Sequence, residues 1–291
     1  MIKWRGTHYR FHPLLTLMII ASIFSGFLLE ALTLICIVSI HEMGHVVAAK
    51  GFGWRVREVQ LLPFGGVAVV DELAAVPTHE ELIVTLAGPL QHAWMIIFAI
   101  IMKTLQGSNH EWWDYFIEAN LMIGLFNLLP VLPLDGGRVL QCLLGYILPY
   151  HRALWLTTWT SLFFGAVLIG FTLFQLLTGQ LSLNLFVIGL FLLISNWYSY
   201  KQLPYHFLRF LMNRGDKVSR LLLRGALAQP IVVNKQRKIS DILKLLMREK
   251  YHLIYIVNDK GSIQRVLPEQ RLITGYLEEK KPGCAVSELF M

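Results

Sequence analysis

The first two hundred residues alternate long apolar stretches with short polar ones. A helix needs about 20 apolar residues to cross the roughly 30 Å of hydrocarbon in a bilayer. Six stretches are close to this length or above it, and they lie near residues 14–29, 30–49, 82–106, 115–134, 153–177 and 181–200. The pattern therefore predicts a membrane all-α domain with six transmembrane helices.

A different pattern separates the second and third stretches. From Trp54 to Asp71, β-branched residues alternate with others on either side of Pro63, Gly65 and Gly66. Alternation interrupted by proline and glycine is typical of a β-hairpin, here inserted on the cytoplasmic side. Its open edge can accept a strand from another chain. The alternative is a hairpin that only covers the helix ends.

Charge divides the chain near residue 200. The whole sequence is 55% hydrophobic and 15% charged, which excludes an ordinary soluble domain and excludes disorder in the first part. Residues 1–200 carry 9 Lys/Arg and 11 Asp/Glu, whereas residues 201–291 carry 17 and 8. With both termini in the cytoplasm, nearly all Lys and Arg of the first part fall on the inner side, as the positive-inside rule requires.

The basic end of the chain is expected to form two further parts. Residues 201–225 predict a basic linker, which favours attraction to anionic membrane lipid. Residues 226–291 predict a small soluble α/β domain, because strand and helix patterns alternate there. The predicted elements are a strand at Pro230–Val233, a helix at Ser240–Lys250, strands at Leu253–Val257 and Ile263–Leu267, and a final helical piece. No nucleic-acid partner is expected, because the segment lacks the aromatic and basic interleaving of an RNA-binding sheet.

The second apolar stretch contains the sequence His41-Glu42-Met43-Gly44-His45. Ionisable side chains are costly at membrane depth, so three of them together indicate a function. On a helix, His41 and His45 lie one turn apart on the same face and can bind one tetrahedral metal ion. Glu42 lies beside them and is placed to act as a general base, as in the H-E-x-x-H zinc hydrolases. The alternative is a buried polar cluster that packs helices.

A catalytic zinc ion needs a third protein ligand and keeps its fourth position for water. Asp135 is the only acid between Glu118 and the basic end of the chain. It follows Pro130 and Pro133, which are expected to end the fourth helix and place the carboxylate on irregular backbone. We predict that Asp135 is the third ligand. Asn127, two turns upstream of the break, is predicted to hydrogen-bond the substrate carbonyl, with helix–helix bonding as the alternative.

The two motifs together resemble the site-2 proteases, which are intramembrane zinc metalloproteases of peptidase family M50. HEMGH matches the family's H-E-x-x-H helix, and NLLPVLPLDGG matches its N-x-x-P-x-x-x-L-D-G motif. The resemblance implies one zinc ion per chain and a peptidase that cuts within or beside the membrane. It assigns His41, His45 and Asp135 as zinc ligands, and Glu42 and Asn127 as catalytic groups.

A third element, Ala87-Gly88-Pro89, also resembles the family. In the family this element commonly continues to an Asn, whereas this chain has His92 at that position. A single histidine on an apolar helix is more often a packing residue than a metal ligand. We therefore expect His92 to pack between helices.

The element order of residues 226–291 resembles a CBS domain. One copy is present, although these domains normally work in pairs. The resemblance therefore implies either a homo-oligomer in which two chains pair their CBS domains or a partner that supplies the second domain. ATP is the ligand implied for such a pair, although residues 267–271 lack the usual ribose-binding Ser/Thr and Asp.

A six-span site-2 protease with one CBS domain and no PDZ domain is similar to the sporulation proteases of endospore-forming bacteria. That resemblance implies a pro-sigma factor substrate, pro-sigma-K, from which the enzyme removes the pro-sequence. It also implies inhibitory membrane partners, SpoIVFA and BofA, and a location in the mother-cell membrane that surrounds the forespore.

Other functions remain as alternatives. A membrane metallopeptidase of the prenyl-processing or heat-shock type needs a downstream Glu ligand, and no acid lies between Asp135 and Asp216. A CBS-regulated membrane transporter, with the histidines lining an ion path, predicts inverted repeats and paired broken helices. A catalytically inactive membrane scaffold would have no need of Glu42.

Overall fold

The computed structural model describes the chain in segments. These are residues 2–4, 7–11, 13–62, 65–70, 76–106, 111–177, 179, 182–225, 227–259, 261–277 and 283–289. They form two compact units. The first unit comprises residues 1–73, 79–130 and 134–139, and the second comprises residues 74–78, 131–133 and 140–291.

The first unit contains helices and one sheet. Its helices are α1 (Pro13–Ser25), α2 (Leu28–Gly51), α3 (Thr78–Gln106, except its first residue), α4 (Glu111–Asn127) and the beginning of α5 (Asp135–Ile147). Its strands are β1 (Ile2–Trp4), β2 (Thr7–Phe11), β3 (Val56–Leu62) and β4 (Gly65–Val70). Helices α2, α3 and α4 contribute Ile37, Met95 and Ala119 to one buried apolar cluster.

The predicted hairpin is confirmed, and it belongs to a larger sheet. Strands β3 and β4 pair antiparallel, from Val56 opposite Val70 to Leu62 opposite Gly65. The strand order is β1-β2-β3-β4, with β2 parallel to β3. Pro63 and Asp71, which the sequence placed in the hairpin, lie outside the described residues. Since β2 covers one edge of β3, the edge that remains open among the described strands of the hairpin is that of β4.

The second unit contains several helices, two of them long, and a small α/β part. The helices are the rest of α5, α6 (Tyr150–Leu177), α7 (Leu183–Met212) and α8 (Arg214–Arg224). The α/β part has β5 (Ala228–Asn234), α9 (Ile239–Leu243), β6 (Tyr251–Val257), β7 (Ile263–Pro268), α10 (Glu269–Leu277) and a 3-10 turn at Val286–Leu289. Strand β5 is parallel to β6, and β6 is antiparallel to β7. The predicted order of strands and helices is present, although the predicted helix at Ser240–Lys250 is only the short α9.

The segment predicted to be a linker, residues 201–225, is helical. Helix α7 continues through it to Met212, and α8 follows. Phe207, Phe210 and Leu211 are buried in the same apolar core as the α/β part. These three apolar side chains explain the extension, because they repeat at the spacing of one helix face.

Four described helices are long and apolar enough to cross a membrane. They are α2, α3, α6 and α7, which cover four of the six predicted spans. The other two predicted spans fall on α1, with 13 residues, and α4, with 17 residues. Many apolar side chains of the long helices are exposed, such as Phe163, Phe174 and Leu177 on α6, as expected of surfaces that contact lipid. The count of six spans stays a prediction.

Candidate metal centre

Three predicted ligand residues come together in the first unit. Helix α2 presents His41 and His45 one turn apart, and Asp135 is the first residue of α5. The Nε2 atoms of the two histidines lie 3.2 Å apart. Asp135 Oδ2 lies 3.1 Å from His41 Nε2 and 3.2 Å from His45 Nε2. The three atoms therefore form a nearly equilateral triangle.

This triangle fits a tetrahedral zinc ion. Zinc binds histidine nitrogen and carboxylate oxygen at about 2.0–2.1 Å, which separates the donor atoms of a tetrahedral site by about 3.3–3.4 Å. The observed separations of 3.1–3.2 Å are slightly smaller, so a small outward movement accommodates the ion. A site with three protein donors leaves the fourth position open, as catalytic zinc sites do.

The donor atoms are already oriented toward a cation. His45 Nδ1 donates to the backbone carbonyl of Val84 at 2.8 Å, which leaves the lone pair of His45 Nε2 facing the triangle. Asp135 Oδ2 is buried and accepts no hydrogen bond from the residues that the structure describes. A buried carboxylate oxygen without a donor is costly. A metal ion at the centre of the triangle would compensate it.

The centre lies inside the protein. His41 is 4% exposed, Asp135 is 13% exposed and His45 is 14% exposed. Glu42, next to His41 on the same helix, is buried as well. The general base that the sequence predicted is therefore placed one residue from a ligand, in surroundings with little water.

Glycines allow the helices to approach the centre. A Cβ atom on Gly88 of α3 would lie 2.2 Å from His45 Nε2 and 2.9 Å from His41 Cε1. A Cβ on Gly44 of α2 would lie 2.5 Å from the carbonyl oxygen of Ala87. Both contacts are far shorter than real Cβ atoms make, so the Ala87-Gly88 element has a structural explanation. Only residues without a Cβ permit this packing of α2 against α3.

The backbone conformation at Asp135 differs from the one that the sequence predicted. The sequence predicted irregular backbone at this position, whereas Asp135 begins α5. The preceding prolines do end a helix, because α4 stops at Asn127. Gly136 then packs so closely that its Cβ would lie 2.1 Å from the Leu128 carbonyl oxygen. A carboxylate at a helix N-terminus is also favoured by the helix dipole.

Asn127 is the last residue of α4 and is half-buried. It lies next to Leu128, against which Gly136 packs, and thus close in the chain to the segment that carries Asp135. It does not belong to the group of three residues that could hold a metal. Its predicted contact with a substrate carbonyl stays a prediction.

His92 has a role that the sequence did not indicate. It is not among the three described residues whose ligand atoms could hold a metal ion. Its ring does not only pack, because His92 Nε2 lies 3.0 Å from His41 Nδ1. The signal that could have identified this role was the presence of a polar side chain on an apolar helix, which usually has a partner at membrane depth.

The fold and the site together define a metalloprotease of the membrane. The family model of peptidase family M50 matches residues 29–109 and 103–169. Stage IV sporulation protein FB of Bacillus subtilis (strain 168) is 33% identical over 293 residues, which cover 100% of this chain and 99% of the relative. A zinc metalloprotease of Methanocaldococcus jannaschii is 34% identical over 154 residues, which cover 52% of this chain and 42% of the relative.

A solved structure agrees with these relatives. The site-2 protease from Methanocaldococcus jannaschii aligns with a TM-score of 0.55 and 27% identity, over 68% of this chain and 93% of that chain. The chain belongs to peptidase family M50 and is a zinc metalloendopeptidase of the site-2 protease type.

Proposed function

We propose that His41, His45 and Asp135 hold the catalytic zinc ion and that the enzyme cuts a peptide bond within or beside the membrane. The observation that carries this proposal is the triangle of donor atoms with sides of 3.1–3.2 Å. The buried Oδ2 of Asp135, which has no hydrogen-bond partner among the described residues, supports it. Bound zinc would supply Lewis-acid polarisation and lower the pKa of water.

Two side chains take part in the proposed reaction, Glu42 by transferring a proton and Asn127 by stabilising negative charge. Glu42 takes a proton from the attacking water and delivers it to the leaving amine, as a general base and then a general acid. Its position next to His41 and its burial favour this role. Asn127 donates a hydrogen bond to the substrate carbonyl as negative charge develops on it. One donor of this kind stabilises a transition state by about 3–4 kcal/mol.

The substrate binds in an extended form. A helical peptide has its carbonyl groups hydrogen-bonded, so it must unwind before attack. We propose that the unwound segment pairs with β4, which is the edge of the four-stranded sheet among the described strands. Backbone N–H groups of β4 alternate between β3 and the open edge, so proline is introduced at Val67, Ala68 and Val69 in turn, and it is expected to reduce cleavage where the lost donor faces the open edge. Unchanged cleavage by all three variants would reject this binding mode.

The proposed substrate is a sporulation sigma factor, pro-sigma-K, from which the enzyme removes the pro-sequence. The similarity to stage IV sporulation protein FB over the full length supports this proposal. By the same argument the enzyme has six spans, both termini in the cytoplasm, and a location in the mother-cell membrane. SpoIVFA and BofA are the proposed inhibitory partners.

The proposed domains are a protease domain at residues 1–200, a linker at 201–225 and a CBS domain at 226–291. The element order of β5 to α10 supports the last of these. Pairing of two CBS domains in a homo-oligomer and binding of ATP are part of the same proposal. Lipid attraction by the linker rests on fewer charges than the sequence suggested, because Arg214 and Lys217 are buried in ion pairs.

Co-expression in cells tests the substrate. The wild-type chain is expected to shorten a tagged pro-sigma-K, whereas Glu42→Gln leaves it at full length. A second tagged membrane protein without a pro-sequence serves as the control and is expected to stay intact. If the wild type leaves pro-sigma-K uncut, or if Glu42→Gln cuts it, the proposal fails.

A further inference from the structure

A line of buried polar side chains runs behind the metal position. His41 Nδ1 on α2 lies 3.0 Å from His92 Nε2 on α3. His92 Nδ1 lies 3.0 Å from Asn120 Oδ1 on α4. All three side chains are buried, with exposures of 4%, 3% and 0% for His41, His92 and Asn120. Hydrogen bonds therefore connect α2, α3 and α4, and they end at the ring of His41, which is a proposed metal ligand.

The direction of these hydrogen bonds follows from the far end of the line. Asn120 Nδ2 donates to the Phe116 carbonyl at 2.8 Å, so the amide oxygen of Asn120 faces His92. An amide oxygen only accepts, so His92 Nδ1 is the donor. A neutral imidazole that donates at Nδ1 accepts at Nε2. His41 Nδ1 must therefore donate to His92, which leaves a lone pair on His41 Nε2.

We propose that His92 and Asn120 are positioning residues that set the tautomer and the ring orientation of His41 for metal binding. This inference rests on the proposed metal centre. The Val84 carbonyl accepts a hydrogen bond from His45 Nδ1 in the same way, so each of the two histidines has an acceptor for its Nδ1. Partners of this kind fix the ligand nitrogen toward the metal and raise its basicity.

The packing around His92 explains why the structure does not easily accommodate another side chain at this position. A Cβ on Gly124 of α4 would lie 3.2 Å from the His92 ring, so the backbone of α4 packs directly against the ring. An apolar residue at position 92 would leave His41 Nδ1 and Asn120 Oδ1 buried without partners. Each such unpaired group is costly in an apolar interior. Leucine at position 92 therefore changes the shape of the side chain and removes both hydrogen bonds of the His92 ring.

Cobalt binding by the full-length protein in detergent tests the inference without an activity assay. The visible absorption of tetrahedral cobalt reports the ligand geometry, and competition with a chelator gives the affinity. His92→Leu and Asn120→Leu are expected to weaken cobalt binding by about 10–100-fold and to alter the absorption bands. His92→Gln is the conservative variant, because its amide oxygen can accept from His41 while its amide nitrogen donates to Asn120.

His92→Gln is therefore expected to bind cobalt almost as the wild type does. Thr33→Val provides the control, since Thr33 is another buried polar residue of α2 whose hydroxyl donates to the Leu29 carbonyl. It is expected to leave the affinity and the spectrum unchanged.

The outcomes separate the two proposals. If the wild type binds no cobalt, or if Asp135→Ala binds as tightly as the wild type, the metal centre itself is wrong. If Asp135→Ala loses cobalt but His92→Leu keeps wild-type affinity and spectrum, only the positioning role is overturned. Equal losses in His92→Leu and His92→Gln, or a loss in Thr33→Val, would assign the effect to helix packing and would also overturn it.

Discussion

Replacement of Gly88 by alanine should place a methyl group in the metal centre. The new Cβ would lie 2.2 Å from His45 Nε2 and 2.4 Å from His45 Cε1. Ordinary contacts between such atoms are about 3.5 Å. Either the His45 ring or helix α3 must therefore move by about 1 Å, judged from that contact distance.

A movement of this size is too large for a metal ligand. Metal–ligand distances vary by only about 0.2 Å around their ideal values. His45 would therefore lose its bond, or bind only with strain. We expect the zinc affinity of Gly88→Ala to fall by at least about 100-fold, which corresponds to about 2.7–2.8 kcal/mol.

Zinc content after dialysis against a graded series of chelator concentrations measures this loss. Far-UV circular dichroism of the same samples separates loss of metal from loss of helix. Gly170→Ala is the matched control, because Gly170 lies within helix α6 and its added Cβ meets no atom of the described residues within 4 Å beyond the neighbouring backbone of its own helix. Alanine is the better helix former, so this control should keep its zinc and its helical content.

Two results would contradict this packing of α3 against the histidines. If Gly88→Ala holds zinc with wild-type affinity while its helical content is unchanged, α3 does not pack over the histidines at Gly88. Equal losses in Gly88→Ala and Gly170→Ala would also contradict the account, because they would show a general intolerance of alanine.

Two further predictions concern the second unit. Arg214 forms an ion pair with Glu269, and both side chains are fully buried, so Arg214→Met should destabilise this unit by about 3–5 kcal/mol. The double variant Arg214→Met with Glu269→Leu should recover part of this loss. Hydrogen exchange of β6 measures both effects, and equal exchange in the single and double variants would refute the pairing. Burial raises the pKa of Glu249, but the Lys217 ammonium and the hydrogen bonds from Thr78 outweigh it, so the pKa lies below its ordinary value. The Glu249 contacts therefore stabilise the segment above the ordinary pKa of a free Glu, about 4.3, and are lost as the pH falls through the lower pKa of the folded state. Protection of the Thr78 amide should fall over that acid range in the wild type, and a Glu249→Ala variant should show low protection already at neutral pH; a pH-independent, unchanged protection would contradict this assignment.

Local patterns in the sequence were sufficient to predict helix α2, which carries His41 and His45. The four-residue spacing of His41 and His45 fixes their relative position on any helix, and the long apolar stretch around them predicts that helix. The hairpin was predicted for a similar reason, because alternation around glycine and proline is a local pattern. Asp135 was predicted as the third ligand because it is the only acid between Glu118 and the basic end of the chain, and this role stays a prediction.

Features that depend on contacts distant in sequence were not predictable. Strand β2 pairs with β3 across about fifty residues, and nothing in Thr7–Phe11 alone indicates that partner. The close approach of Gly136 to the Leu128 carbonyl is a second contact of this kind, since it depends on how the backbone turns between α4 and α5.

The hydrogen bonds of His92 depend in the same way on how α2, α3 and α4 are packed. The sequence did carry a partial signal. His92 and Asn120 are polar residues in apolar stretches, and polar residues at membrane depth rarely lack a partner. What the sequence could not give was the identity of the partner, because several polar residues were available on the neighbouring helices.

The most direct test of the central claim is the metal content of three proteins combined with their cleavage of pro-sigma-K in cells. Wild type should hold one zinc ion per chain and cleave. Glu42→Gln should keep its zinc and lose cleavage, because the base acts on protons and does not bind the metal. Asp135→Ala should lose zinc and cleavage together. Cleavage by Glu42→Gln, or a wild-type protein that cleaves without zinc, would contradict the account.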